Sequence, residues 1–276
     1  MGATGVVGRE VVSQLTAGGE QVCALTRKPD SAGLPPQVDV VHGDLTLPDT
    51  LDRCLEGIDT VFLVWVAPRS AARSALQRIA RRVRRIVFLS APLKTPHPFF
   101  QRPQPNPNSA LLAHIEELIA HSGREWTFLR PGIFAANALR WWAPQLRAGA
   151  LVRWPYLASP AAPIHERDIA AVAVRALCEE GHAGAEYVLT GPQSLTQFEQ
   201  LDTIGRVLGR SLSIEEIPPD EARRDLLAII PPMLLDAWDS AIGQPAFITS
   251  TVEEITGTPP RTFLEWATEH ADQFRA

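Results

Sequence analysis

Three glycines near the beginning of the chain have the spacing of a phosphate-binding loop. Gly2, Gly5 and Gly8 lie three residues apart, and an amphipathic run that predicts a helix follows them directly. The first glycine permits a tight turn, the second lets a pyrophosphate approach the backbone, and the third lets the helix pack closely on a sheet. Free N–H groups and the dipole at the start of that helix attract phosphate. We expect this loop to bind a dinucleotide through Gly2, Thr4, Gly5, Val6, Val7 and Gly8.

The residues after the next predicted strand indicate which dinucleotide is bound. The apolar strand predicted at 21–26 ends in Thr26, Arg27 and Lys28. In a dinucleotide-binding fold this position contacts the adenosine ribose, and an acidic residue there pairs with a 2′-hydroxyl. Here two cations replace the acid, and cations suit a 2′-phosphate. The sequence therefore predicts NADPH as the cofactor, with NADH less favoured.

These features, together with the step Gly43-Asp44-Leu45 and the later segment 129–132, resemble the atypical short-chain dehydrogenases of the NmrA-like group. The resemblance covers almost the whole chain. It implies an α/β fold, with a doubly wound parallel Rossmann sheet that carries NAD(P) and a smaller, mostly helical C-terminal substrate lobe. It leaves activity open, because the group includes ketone and quinone reductases as well as cofactor-sensing regulators.

Predicted strands and helices alternate along the chain, which is typical of a parallel sheet covered by helices. The continuous apolar run at 60–66 has the length and composition of a strand buried on both faces. We expect a dinucleotide-binding domain at 1–132, to which 163–190 return. The remaining segments, 133–162 and 191–276, are expected to form the substrate lobe.

The fold also predicts where other parts of the cofactor lie. Ligands of such sheets bind at the carboxyl ends of strands, so the turn formed by Val66, Ala67 and Pro68 is expected under the cofactor. Pro131 and Gly132 follow a later predicted strand, and the resemblance implies that they border the nicotinamide.

Asp44 and Leu45 are placed near the adenine by the same resemblance. For Asp44 there is a structural alternative, because a helix is predicted at 46–55 and an aspartate before it can serve as a cap. Both interpretations remain open from the sequence.

One strand of the implied fold is absent from the sequence. In a Rossmann domain the glycine loop follows a buried parallel strand, but here only Met1 precedes Gly2. Its absence would leave the neighbouring strands without ladder partners and the core open on both faces. We expect the first strand of the sheet to be missing or truncated, either because the start codon is placed several residues too late or because the sequence begins at the wrong methionine.

The proton donor is the least conventional part of the predicted site. A conventional short-chain dehydrogenase uses a tyrosine whose pKa is lowered by a lysine four residues later. In this chain Pro160 lies four residues after Tyr156, and Gly191 lies four residues after Tyr187, so neither tyrosine has that partner. The positions where the resemblance places the pair fall near Asn108 and Leu112.

Ser90, at the end of a predicted strand, matches the family's serine and is expected to contact both cofactor and substrate. Lys94 and His97, four and seven residues later, are the nearest titratable groups and lie in a proline-rich segment. We predict Ser90, Lys94 and His97 as the catalytic residues. Water or a hydroxyl of the substrate remains a possible proton source, and we expect no single side chain to be an indispensable acid.

Aromatic residues are concentrated after Gly132. They could form the core of the lobe, or they could form flat apolar walls around a substrate. We predict substrate contacts from Phe134, Asn137, Trp141, Trp154 and Tyr156. The sequence thus favours an NADPH-dependent ketoreductase acting on a large, flat, aromatic ketone or quinone of the polyketide type, in antibiotic biosynthesis. A non-catalytic NADP-sensing regulator or scaffold is the alternative.

Composition limits the other classes of function. The chain has 276 residues, 45% hydrophobic and 21% charged, and a net charge of -5, so nothing indicates a nucleic-acid partner. Cys23, Cys54 and Cys178 lack the spacing of a metal site or a disulfide scaffold, which favours a reduced, cytoplasmic setting. No apolar run approaches the ~20 residues of a membrane span. We expect a monomer or homodimer without a bound metal.

Overall fold

Parallel strands frame the amino-terminal half of the protein, and helices connect them. The computed structural model describes residues 1–92, 107–149 and 151–275. Apolar and β-branched runs favour the strands, and amphipathic segments between them form helices. In chain order these elements are α1 (Val6–Ala17), β1 (Cys23–Thr26), β2 (Asp39–His42), α2 (Asp52–Leu55), β3 (Thr60–Val64), α3 (Ala72–Ala80), β4 (Arg85–Leu89), α4 (Pro107–Ala120) and β5 (Glu125–Pro131).

The carboxyl-terminal half is mainly helical, apart from short strands. Its elements are α5 (Asn137–Trp141), α6 (Ala143–Arg147), β6 (Val152–Trp154), β7 (Pro160–Ala161), α7 (Glu166–Cys178), β8 (Ala185–Leu189), β9 (Leu195–Thr196), α8 (Gln197–Val207), β10 (Ile214–Glu216), α9 (Pro219–Asp225), α10 (Pro232–Ala241), α11 (Thr251–Thr256) and α12 (Phe263–Glu269). Among the described residues, no helix is long and apolar enough to cross a membrane.

Within the described residues, β3, β4, β5 and β8 form a parallel sheet in that order. Apolar side chains that alternate along the strands pack in opposite directions. Leu63 and Phe88 pack in a cluster with residues of α3 and α4, whereas Phe62 and Val87 pack with residues of α1 and α7. Because helices cover both faces, these strands are apolar on both sides. The predicted doubly wound α/β fold is confirmed.

The expected gap in the sheet is present. β1 and β2 form a separate parallel pair, and within the described residues no strand lies between β1 and β3. Met1 reaches β3, where its amino group donates to the Phe62 carbonyl at 2.7 Å and its carbonyl accepts from the Val64 N–H at 3.3 Å. A cavity of about 370 Å³ lies beside it. The cause of the gap and the position of the true start stay predictions.

A second hydrophobic core lies in the region predicted as the substrate lobe. Trp142, Trp154, Trp238, Phe263 and Trp266 are all buried there. The short strands β6 and β10 pair in parallel beside this core, and β7 pairs antiparallel with β9. The domain boundaries given above remain predictions.

One local prediction needs correction. The helix expected at 46–55 is limited to α2, preceded by a single 3₁₀ turn that begins at Pro48, because a proline lacks the N–H needed to continue a helix towards its amino end. Later in the chain, α7 begins at Glu166 with His165 as its N-cap. The last helix, α12, ends at Glu269 and is followed by a 3₁₀ turn.

Candidate functional site

The glycine loop has the geometry that a bound pyrophosphate requires. Gly2 has a φ of 83°, and a Cβ added to it would lie 2.7 Å from the Cβ of Val64. A Cβ on Gly8 would lie 2.1 Å from the Gly2 carbonyl oxygen, so only glycine permits this contact. Gly5 caps α1 without any side-chain hydrogen bond, which leaves the N–H groups of the first turn available to phosphate. The residues present therefore fit a dinucleotide.

Arg9, which sequence reasoning missed, holds this loop in place. Its guanidinium donates to the carbonyl oxygens of Thr4 at 3.1 Å, Ala32 at 2.8 Å and Gly33 at 2.8 Å. These bonds connect the glycine loop to the segment that follows β1. An arginine in the first turn of a helix has no distinctive sequence signal, because its partners lie 23 and 24 residues away.

Arg27 and Lys28 are exposed beyond the end of β1, as a ribose-phosphate site requires. The Lys28 N–H donates to the Thr26 hydroxyl oxygen at 3.2 Å, which shapes the turn. Among the residues that the structure describes, neither cation forms an ion pair with a carboxylate. Both charges are therefore available to an anionic ligand, and their contact with a 2′-phosphate stays a prediction.

Asp44 has a clear structural role at the end of β2. Its Oδ1 accepts hydrogen bonds from the backbone N–H and the hydroxyl of Thr46, both at 2.8 Å. These bonds, with a smaller contribution from the charge of Arg27, lower the pKa of the carboxyl group. Asp44 thus closes a local turn and does not cap a helix, because the 3₁₀ turn at Pro48–Leu51 has Leu47 as its N-cap and no side-chain cap. Leu45 beside it is buried. Contact of either residue with adenine stays a prediction.

The carboxyl ends of β3 and β5 present the other predicted cofactor contacts. Val66 is 69% exposed and Pro68 is exposed, while the indole N–H of Trp65 donates to the Ala67 carbonyl at 2.6 Å and fixes this turn. At the end of β5 the Gly132 N–H donates to the Leu189 carbonyl of β8 at 2.9 Å. Because β3, β4 and β5 are parallel neighbours, these turns lie on the same edge of the sheet.

Ser90 lies at that edge too, directly after β4. Its residue surface is 7% exposed, and its hydroxyl is buried without a hydrogen-bond partner among the described residues. Buried hydroxyl groups in proteins are nearly always paired, so this one is free, among the described residues, to pair with a ligand atom. The other two predicted catalytic residues, Lys94 and His97, lie outside the described residues.

Arg130, which lies in the segment 129–132, forms its ion pairs with carboxylates of the protein itself. Its guanidinium donates to both carboxylate oxygens of Glu116, at 3.0 and 2.7 Å, and to Glu186 at 2.5 Å. Burial by itself would lower the pKa of Arg130, but the two carboxylates raise it. The pairs connect β5 to α4 and β8, and only the tertiary structure reveals them.

Neither tyrosine has an environment that would make it a stronger acid. Burial and the charge of Asp239 raise the pKa of Tyr156, and burial raises the pKa of Tyr187. The Tyr187 hydroxyl is paired with Nδ1 of His182 at 2.8 Å. Tyr156 has a φ of 52°, a left-handed conformation that is uncommon outside glycine and occurs preferentially at functional sites.

The predicted substrate residues fall into two groups. Phe134 and Asn137 are half-buried and follow the nicotinamide-side turn. Trp141 and Tyr156 are nearly buried, and Trp154 is wholly buried with its indole N–H donating to Gln197 at 2.5 Å. For Trp154 this geometry favours the core alternative. Substrate contact by all five residues stays a prediction.

Comparison with known proteins identifies the family of this chain. The chain matches the NAD(P)H-binding family over residues 2–180. It is 39% identical to the (4-alkanoyl-5-oxo-2,5-dihydrofuran-3-yl)methyl phosphate reductase of Streptomyces griseus, over 99% of this chain and 97% of that protein. It is 32% identical to the NAD(P)H azoreductase of Xenophilus azovorans, over 100% of this chain and 98% of that protein.

A crystal structure of an NADPH-dependent quinone oxidoreductase from Escherichia coli, in complex with NADPH, shares the fold. The TM-score is 0.76 at 22% identity, with 97% of each chain covered. The family match and the similarity to these two reductases show that this protein is an NAD(P)H-dependent oxidoreductase that acts on a small molecule, in agreement with the prediction. The chain belongs to the NAD(P)H-binding family.

Proposed function

We propose that this protein reduces a conjugated, electron-poor acceptor, such as a quinone or an unsaturated ketone on a flat ring system, at the expense of NADPH. The observation that carries the proposal is the buried hydroxyl of Ser90 at the carboxyl edge of the sheet, which has no hydrogen-bond partner in the described part of the chain. This hydroxyl can donate a hydrogen bond to an oxygen of the acceptor. Bound NADPH supplies the hydride.

Conjugation explains why a strong acid is unnecessary. When hydride adds to an isolated ketone, the full negative charge develops on one oxygen, which requires a proton donor close at hand. In a conjugated acceptor the charge spreads over several atoms, so a neutral hydroxyl such as that of Ser90 can stabilise it. Both tyrosines have raised pKa values and no lysine partner, which agrees with this chemistry.

The two relatives support the same class of substrate. The name of one specifies an oxo-dihydrofuran that carries an alkanoyl group, and the name of the other specifies azo compounds. Both are conjugated acceptors of electrons. A large aromatic ketone of the polyketide type belongs to this class when its carbonyl is conjugated with the rings, and a role in antibiotic biosynthesis stays a prediction.

Arg27 and Lys28 support the choice of NADPH over NADH. Both are exposed cations at the position that contacts the adenosine ribose, and hydrogen bonds from such groups to a phosphate are charge-assisted.

The proposal is tested by following NADPH consumption with a panel of acceptors. The panel contains a quinone, an acyl-dihydrofuranone, a polycyclic aromatic ketone and an isolated aliphatic ketone of similar size. We expect the conjugated acceptors to have kcat/KM values higher than the aliphatic ketone by about 10²-fold or more, the scale of one lost charge-stabilising donor. Equal rates for the aliphatic ketone would overturn the proposal. NADPH binding without turnover of any acceptor would favour the sensing role instead.

A further inference from the structure

Two cysteine side chains from different elements meet in the amino-terminal half of the protein. Cys23 is the first residue of β1, and Cys54 lies in α2, 31 residues later. Their sulfur atoms are 2.6 Å apart, and both thiols are free. The S–S bond of a disulfide is about 2.05 Å long, so a relative shift of roughly half an ångström would bring the two sulfurs to bonding distance. The fold therefore brings together two thiols that their spacing in the sequence does not connect.

Packing keeps the two sulfurs close to each other. Cys54 is 5% exposed and belongs to a hydrophobic core cluster that includes Leu25 and Leu55, and Cys23 packs against the same cluster. Leu25 lies two residues after Cys23 on β1, so both side chains point to the same face of the strand. Because their neighbours are buried apolar side chains, the two cysteines meet in the core between the strand and the helix.

The two thiols differ in their acidity. The hydrogen bond from Cys23 lowers the pKa of the Cys54 thiol, although burial acts to raise it. The same hydrogen bond raises the pKa of Cys23, and burial raises it further. The thiolate is the nucleophilic form of cysteine, so Cys54 is the sulfur that attacks an oxidant, and Cys23 is the one that resolves the product. Cys23 is half-buried, so the pair is not sealed from solvent.

The chain between the two cysteines contains the adenosine side of the predicted cofactor site. Arg27, Lys28 and Asp44 all lie between positions 23 and 54. A bond between the two sulfurs would fix α2 on β1 and close this segment into a loop across 31 positions. Such a closure stabilises the folded state, because it restricts the unfolded chain.

We propose that Cys23 and Cys54 are a redox modification site, at which a hydroperoxide forms a reversible disulfide that fastens α2 to β1. The cysteines of this chain have no spacing typical of a disulfide scaffold. In reducing compartments, disulfides are usually transient and sense oxidants. The bond proposed here is of that reversible kind.

The reaction has two steps. The Cys54 thiolate attacks the peroxide, whose O–O bond breaks, so that Cys54 becomes a sulfenic acid and the peroxide leaves as an alcohol, or as water in the case of hydrogen peroxide. The Cys23 sulfur then attacks the Cys54 sulfur and displaces the sulfenic oxygen as water. Two thiols and one hydroperoxide thus give one disulfide, one alcohol and one water. A small dithiol returns the two electrons by thiol–disulfide exchange.

Mass spectrometry of the full chain tests this proposal. The parent form carries Cys178→Ser, because Cys178 is exposed and would react with peroxide by itself. After treatment with hydrogen peroxide the parent should be about 2 Da lighter, since two thiol hydrogens are lost. Digestion without reduction should yield one linked peptide pair that contains Cys23 and Cys54, and dithiothreitol should restore the original mass.

Thermal unfolding measures the consequence of the bond. The oxidised parent should have a Tm roughly 5–15 °C above that of the reduced parent, the scale expected for closing a loop of this length. Cys23→Ser and Cys54→Ser, each added to the parent, should abolish both the linked peptide and the gain in Tm. Serine is the matched replacement, because its hydroxyl is close in size to the thiol and can still donate a hydrogen bond.

The two serine variants also separate the roles of the sulfurs. With Cys23→Ser, peroxide should leave Cys54 as a sulfenic acid, about 16 Da heavier and trapped by a 1,3-dione reagent, because no resolving thiol is present. With Cys54→Ser, Cys23 should react at least about tenfold more slowly, since its thiolate is disfavoured.

The mass of the parent does not depend on the folding of either serine variant. The proposal is overturned if alkylation after denaturation finds both thiols of the peroxide-treated parent still free. A sulfenic acid that accumulates on Cys54 of the parent, without a bond to Cys23, would overturn it equally. So would a disulfide that leaves the Tm unchanged.

Discussion

The backbone N–H of Ser90 donates to the carbonyl oxygen of Leu129 at 2.8 Å, one residue beyond the end of β4. This bond continues the ladder between β4 and β5, so the backbone of Ser90 is held by the sheet. The side-chain hydroxyl remains buried and without a partner among the described residues. A buried donor in a rigid position is suited to a ligand atom, because the protein need not reorganise to use it.

Ser90→Ala should lower kcat for a quinone or unsaturated ketone by about 10- to 100-fold, because one hydrogen-bond donor to the reduced acceptor is lost. The Kd for NADPH should remain within about twofold of the wild-type value, well below the tenfold change that ~1.4 kcal/mol would give. Steady-state kinetics and a separate binding titration measure the two effects. An unchanged kcat would show that the serine only fills space.

Lys94→Ala and His97→Ala should each retain measurable reduction of a conjugated acceptor. The reason is that the charge on such an acceptor is spread out, so that water can complete the protonation. For an acceptor with a hydroxyl beside its carbonyl, removal of that hydroxyl should slow the reaction in the wild type. Complete loss of turnover in either variant, with NADPH binding intact, would identify a conventional general acid.

Arg27→Asp should weaken NADPH binding by about 10- to 100-fold while leaving NADH binding unchanged or improved. Arg27 is exposed and has no carboxylate partner among the described residues, so its charge is available to the 2′-phosphate through bonds worth about 1.5–3 kcal/mol. Arg124→Asp, the same change of charge at another exposed position, is the control. Equal losses for both cofactors would mean that Arg27 only supports its loop.

Gly8→Ala and Gly5→Ala should separate folding from binding. A Cβ on Gly8 would lie 2.1 Å from the Gly2 carbonyl oxygen, whereas on Gly5 its nearest neighbour is that same oxygen at 3.4 Å. Gly8→Ala should therefore lower the Tm of the protein without cofactor. Gly5→Ala should leave the Tm of the cofactor-free protein within about 2 °C of the wild-type value. It should weaken NADPH binding by about tenfold or more, because the pyrophosphate approaches the backbone at Gly5. Thermal scans with and without NADPH distinguish the two, and the reverse order of effects would contradict the loop geometry.

The interaction between His270 and Glu166 predicts that the free energy of unfolding depends on pH. Nε2 of His270 lies 3.2 Å from a carboxylate oxygen of Glu166. The hydrogen bond to Glu166 raises the pKa of His270 above its ordinary value, and although burial acts to raise the pKa of Glu166, the bond from His270 and the nearby charges lower it. His165 and Glu269 lie close to this pair, and burial lowers the pKa of His165.

Because the pKa of His270 is raised in the folded state, its contribution to the free energy of unfolding is complete below about pH 6.5. That contribution is lost as the pH rises through the pKa of the folded state. Glu166 stabilises the folded state above its ordinary pKa, near 4.3, and this stabilisation is lost as the pH falls through the lowered pKa of the folded state.

His270→Gln should thus destabilise the protein more at about pH 6 than at about pH 9, as measured by urea unfolding. Arg275→Gln, which removes an exposed charge near the same end of the chain, should show no such difference. A loss for His270→Gln that is the same at both pH values would rule out the pair as its cause.

The sequence alone was sufficient for the features that depend on neighbours along the chain. The spacing of Gly2, Gly5 and Gly8 predicts the phosphate loop because its turn and helix start involve adjacent residues. The apolar run that begins at Thr60 predicts β3 because a strand covered on both faces needs apolar residues in succession.

Only the tertiary structure decided the features that depend on residues far apart in the chain. Arg9 reaches carbonyl groups 23 and 24 residues away, and Arg130 meets Glu186, 56 residues away. Trp154, for which both a pocket wall and the core were open from the sequence, is wholly buried and donates its indole N–H to Gln197. The type of a side chain does not specify which distant element packs against it, because that depends on how all the elements meet. These pairings could therefore not be derived from sequence patterns.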